Sequence, residues 1–137
     1  MSNSTLTFVL NDPPYESARS TTALRLIDLA VKRGINVNVF AYEGAAALAF
    51  AKQKPHGNPI HGRDAEAEDH PTTQEWIGSI LSEAKKRDVS VDWVNCGLCV
   101  DERGVQEAVE GTRRGGPPDL AKFIDASTNT IVVPTRG

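Results

Sequence analysis

Basic clusters are missing from this sequence, and so are long apolar runs. The 137 residues hold 15 Lys and Arg against 18 Asp and Glu, a net charge of −3, with the cations spread along the chain. A nucleic-acid groove needs concentrated positive charge, so no nucleic-acid partner is expected. No apolar stretch approaches the ~20 residues that cross a bilayer, which argues against a membrane protein. Residues 1–5 carry no basic region and no signal-type apolar block, so the expected location is the cytoplasm. No Gly-x-Gly-x-x-Gly loop or Gly-x-x-x-x-Gly-Lys-Ser/Thr loop is present, and nucleotide binding has no support. Cysteine is scarce as well. Two residues, Cys96 and Cys99, are too few for a secreted disulfide scaffold of this length. In a reducing compartment they are free thiols, a redox pair or metal ligands.

What is there suits one soluble domain spanning residues 1–137. Hydrophobic residues make up 39%, enough for a single core. Residues 6–10 are a short apolar run stopped by Asn11-Asp12-Pro13-Pro14, which predicts a strand and a turn. From Ser17 the apolar positions Ala23, Leu24, Ile27, Ala30 and Val31 recur at helical spacing, with Gly34 as the stop. Residues 36–42 alternate as a second strand. Small residues at 44–51 predict a helix. Residues 52–71 hold three of the eight prolines and all three histidines, and read as a long exposed loop or insertion. Thr72-Thr73-Gln74-Glu75 has capping-box spacing and opens an amphipathic helix with Trp76, Ile77, Ile80, Leu81 and Ala84 on its apolar face. Residues 89–94 are the third strand, running into Asn95-Cys96-Gly97-Leu98-Cys99. A short helix is predicted over 105–110, an exposed loop end at Arg113-Arg114, a helix over 119–126 and a buried strand over 130–133. Strands alternating with helices imply an α/β fold of three layers, a mainly parallel sheet with helices on both faces. Ligands and chemistry gather at the carboxyl ends of such strands, where Cys96 falls.

A cysteine between a strand end and a helix start is favoured as an anion by unpaired backbone N–H groups and the helix dipole. Gly97 lets the backbone approach the sulfur, and Arg103 would add positive charge. A buried cysteine that merely fills a core is the competing reading. Cys96-x-x-Cys99 also has the spacing of a dithiol pair, one thiol attacking and the other resolving. Zinc would need two further ligands, for which His56 and His61 have near-ligand spacing, but histidines in a polar, proline-rich loop are usually solvated. Asp12 suits an Asx turn better than acid–base work. Trp76 and Trp93 suit a core or a subunit contact.

The run Cys96-Gly97-Leu98-Cys99-Val100-Asp101-Glu102-Arg103-Gly104-Val105 resembles the cysteine segment of the DsrE/DsrF-like family. There a strand-end cysteine is followed shortly by an Arg-Gly-Val or Arg-Gly-Ile turn. Asn11-Asp12-Pro13-Pro14-Tyr15 is similar to the family's Pro-x-Tyr-type loop, and Phe40-Ala41-Tyr42-Glu43-Gly44 to its aromatic second strand and Glu-Gly turn. The resemblance implies a DsrEFH-like domain, a trimeric or hexameric homo-oligomer, and sulfurtransferase-type persulfide transfer without a cofactor. The donor would be a TusA-like carrier and the acceptor a DsrC-like protein. Cys96 would hold the sulfur, Gly97, Arg103 and Gly104 would stabilise it, and the loop bearing Asn11 and Tyr15 would shape access. Cys99 departs from the family's TusD-type subunits, as do residues 52–71, and its role is left open between resolving thiol, second relay site and inert residue.

Overall fold

The computed structural model describes residues 4–57, 61–68, 71–105 and 107–135. Five parallel strands form one sheet in the order β4-β3-β2-β1-β5: β1 (Thr5–Leu10), β2 (Asn36–Ala41), β3 (Val91–Cys96), β4 (Thr112–Gly115) and β5 (Asn129–Val133). Parallel neighbours need long crossovers, and helices supply them. The helices are α1 (Ala18–Lys32), the single turn α2 (Ala65–Glu68), α3 (Thr73–Lys86), α4 (Gly97–Arg103) and α5 (Pro117–Ala126). The fold is the α/β sandwich the periodicities predict.

Alternation along the strands sorts the layers. Val37, Val39 and Ala41 of β2 and Trp93 of β3 face one side, where they pack with Leu24, Ile27 and Val31 of α1 and Ile77 and Ile80 of α3. Phe40, Val94 and Cys96 face the other and meet Phe123 of α5. Trp93 is fully buried, and its indole N–H reaches Asn95 Oδ1 at 3.1 Å, which satisfies the polar atom that burial would otherwise strand.

Both long helices open on side-chain caps. Ser17 Oγ accepts from the Arg19 N–H at 3.2 Å. Thr72 Oγ1 accepts from Glu75 N at 3.2 Å, while Glu75 Oε2 accepts from Thr72 N at 3.1 Å, a complete capping box. Thr72→Ala is expected to cost about 1 kcal/mol, read as a lower denaturant midpoint with an unchanged slope.

Several expectations fail locally. Residues 44–51 are a 3-10 turn (Glu43–Ala47) and further turns rather than an α-helix. The segment is held by the sheet end, with Tyr42 N bonded to Leu10 O and Ala45 N to Asn11 O, and its small residues allow that close approach. The helix expected over 105–110 lies earlier, at α4. Gly104 ends it at φ +66, a left-handed cap, and Ala108 then makes an isolated bridge to Phe50. Arg113 and Arg114 belong to edge strand β4 rather than to a loop. The last strand is an edge as well, with Val132 exposed rather than buried. Residues 52–57 and 61–64 are largely irregular, as expected of the loop, with α2 after them. His70 and the stretch 58–60 lie outside the described residues. Among the described residues no helix is long and apolar enough to cross a membrane.

Candidate functional site

All five strands end on one side of the sheet, because parallel register aligns Leu10 with Ala41, Ala41 with Asn95, and Cys96 with Gly115. Cys96 is the last residue of β3 and the N-cap of α4, which begins at Gly97. Cys99 lies one turn on. Both thiols are free, and both side chains are buried at 4% exposure in a small apolar cluster with Phe40, Ala46, Val94 and Phe123. Val100 and Leu120 pack against that cluster from α4 and α5.

The two sulfurs differ in environment. Burial pushes the Cys99 thiol up to about 11, and its hydrogen bond to Cys96 adds to this. The Glu43 N–H, which donates to Cys99 Sγ at 3.1 Å, acts in the opposite direction. Cys99 therefore keeps its proton at neutral pH. Tyr42 stands at the rim, stacked on Phe40 with ring centroids 6.0 Å apart. The Glu43 carboxylate, and behind it the two sulfurs, hold the Tyr42 phenol above its ordinary range.

Arg103 is engaged by two neighbours of the thiol segment. Its Nη2 pairs with Glu43 Oε2 at 2.9 Å and its Nη1 donates to the Cys99 carbonyl at 3.3 Å. It clips α4 to the turn after β2 and is neutralised there by a carboxylate. The guanidinium lying against the start of α4 is that of Arg114. A Cβ built on Gly97 would stand 2.6 Å from Arg114 Nε and 2.8 Å from its guanidinium carbon. Asp101 holds this group through two bonds of 2.8 and 2.6 Å. Gly97 thus does permit a close approach, made by an arginine from the neighbouring strand.

Asn11 and Tyr15 are drawn into other contacts. Asn11 Nδ2 donates to Val133 O at 3.0 Å and ties the ends of β1 and β5 together, two strands from Cys96. Tyr15 takes φ +67, donates to Gln53 Oε1 at 3.2 Å, accepts from Thr73 N at 3.3 Å and meets the His56 ring edge-on at 4.5 Å. It lines a groove of about 790 Å³ between α1 and α3, with Thr21, Arg25 and Trp76, and no thiol-site residue takes part in that groove. Asp12 is buried and accepts from Ser17 Oγ at 2.6 Å, a turn-stabilising role. Among the described residues no group of three or more His, Cys, Asp or Glu is arranged to hold a metal ion.

Sequence reasoning missed Glu43, Asp101 and Arg114. Glu43 was within reach, since it follows the end of the strand beside β3. Arg114 was not, because Thr-Arg-Arg-Gly lacks the apolar alternation that marks a strand.

Comparison with known proteins finds similarity by family, by sequence and by structure. The family model described as the DsrE/DsrF-like family matches residues 4–133. The uncharacterized protein MJ0989 of Methanocaldococcus jannaschii is 27% identical over 127 residues, covering 91% of this chain and 96% of that one. The crystal structure of the ychN protein from E. coli superposes with a TM-score of 0.72 at 22% identity, over 94% of this chain and 98% of that one. The last likeness is one of fold: a parallel α/β sandwich with the same extent.

Proposed function

The chain belongs to the DsrE/DsrF-like family, a membership that points to a role of the sulfur-relay type, and from that premise we propose that it carries sulfane sulfur as a persulfide on Cys96 and hands it to a partner protein's thiol. The observation that carries this reading is the buried thiol pair at the end of β3, where one sulfur is kept protonated beside the other. The Cys96 thiolate attacks the outer sulfur of a carrier's persulfide. The carrier's S–S bond breaks, a new S–S bond forms on Cys96, and the carrier leaves as its thiolate, so no outside oxidant is required. Transfer onward repeats the step with an acceptor thiolate attacking the outer sulfur. The Cys99 S–H stabilises the anionic sulfur, and Phe40, Val94 and Phe123 keep water from it.

Leu98 is 68% exposed between the two cysteines and offers an apolar contact to a docking partner. A TusA-like donor, a DsrC-like acceptor, a trimeric or hexameric assembly and a cytoplasmic location complete the proposal. The two free thiols, one turn apart in the same apolar cluster, favour a second reading, a thiol–disulfide couple in which Cys99 resolves.

Intact-mass measurement after exposure to polysulfide, or to a persulfidated carrier, separates the two. Steps of ~32 Da that persist in Cys99→Ser and vanish in Cys96→Ser are the expected result. A loss of about 2 Da that needs both cysteines would transfer the assignment to the dithiol couple. A wild-type protein that gains no sulfur would end the carrier reading.

A further inference from the structure

An anionic sulfur in an apolar pocket needs a cation nearby. With only seven residues, α4 is too short for its dipole to answer for that charge. The charged and titratable groups around Cys96 come from four elements. After β2, Glu43 is engaged by Arg103, and Tyr42 is neutral at physiological pH. On α4, Cys99 is neutral, Glu102 faces Arg103 at 3.7 Å, and Asp101 holds Arg114. On α5, Asp119 caps its own helix at Gly116 N and binds Arg113 at 3.0 Å, while Lys122 lies one turn further along. On β4, Arg113 is also gripped by Asp92 at 2.9 and 3.0 Å. Arg114 remains.

We propose that Arg114, laid across Gly97 and tethered by Asp101, is the positioning cation that sets how readily Cys96 ionises and that steadies an anionic sulfur there, thiolate or persulfide. The inference rests on the thiol-centred reading of the site and deepens it. Sheet register places Arg114 opposite Asn95, one residue before the Gly115 that pairs with Cys96, and from there its guanidinium lies over Gly97, the residue after the thiol. Gly97 is the only residue type that leaves it room, because any Cβ would stand closer than 3 Å to three of its atoms. Asp101 holds the guanidinium above its ordinary range, and the Cys96 sulfur contributes in the same direction. The aspartate fixes the arginine and partly offsets its charge, so the pair acts as a tuned cation.

The test is the pH profile of Cys96 alkylation by iodoacetamide, a neutral reagent, read at Cys96 by fragment-ion mass spectrometry. Arg114→Gln is expected to slow alkylation about tenfold at neutral pH and to move the whole profile to higher pH, as loss of a nearby opposite charge does. Arg114→Lys restores most of the rate. Gly97→Ala, which pushes the guanidinium aside, shifts the profile in the same direction, and Asp101→Asn shifts it the opposite way. An Arg114→Gln profile that superimposes on wild type, with an unchanged unfolding midpoint, would overturn the assignment. So would uniform slowing without a shift, which would make Arg114 a steric cover. No sulfur donor enters this experiment, so its failure is distinct from a failure of sulfur loading.

Discussion

Gly115→Ala is expected to destabilise the fold by about 2–4 kcal/mol and to depress sulfur loading of Cys96 with it. Gly115 ends β4 directly beside Cys96. A Cβ there would stand 2.6 Å from Val94 Cγ1, which is fully buried, and would run into the Asp119 carboxylate. Neither neighbour yields easily. Val94 is fully buried in a cluster with Phe40 and Phe123, and Asp119 is held by Gly116 N at 2.9 Å and by Arg113 at 3.0 Å. Relief by moving Asp119 would uncap α5, and relief by moving β4 would shift the strand that carries Arg114 and pairs Gly115 with Cys96. Denaturant titration measures the first effect and intact-mass loading the second. A change below about 0.5 kcal/mol would show that β4 slides freely and that the site is not braced from this side.

The main architecture was legible because its signals are local. A short apolar run marked β1 and alternation β2, helical spacing marked α1 and, with a capping box, α3, and the resulting order of elements left little choice but a parallel sandwich. The losses follow from signals that are not local. β4 is four residues, two of them arginine, and becomes a strand through pairing with β3 and through the Arg113–Asp92 clamp. The alanines after β2 looked helical by propensity, but two backbone bonds to the end of β1 and the turn that follows it hold them in a 3-10 turn. At the site, Cys96 was readable from its place before Gly97. Arg103, expected beside the sulfur, pairs with Glu43 and the Cys99 carbonyl, whereas the guanidinium against Gly97 is that of Arg114, which the sheet order brings there.

Cys99 gives a prediction in alkaline solution. Its ordinary thiol value is 9.0, and burial raises it to about 11 in the folded protein. The folded state therefore holds the Cys99 proton more tightly than the unfolded state does. The stability tied to that proton is complete below pH ~9 and is lost as pH rises toward and through ~11, a span of about 2–3 kcal/mol. Reduced wild-type protein should accordingly lose more unfolding free energy between those pH values than Cys99→Ala does, since lysine and tyrosine titrations are common to both and cancel in the comparison. Parallel curves for the two proteins would mean that Cys99 ionises freely in the fold. It would then be a second thiolate from about pH 9 upward, competing with Cys96 for sulfur and repelling its charge. Curves that diverge in the stated sense leave one ionising thiol and one proton donor. That asymmetry lets a Cys-x-x-Cys segment act as a one-sulfur carrier, because a resolving thiol must itself become a thiolate before it can attack the loaded sulfur.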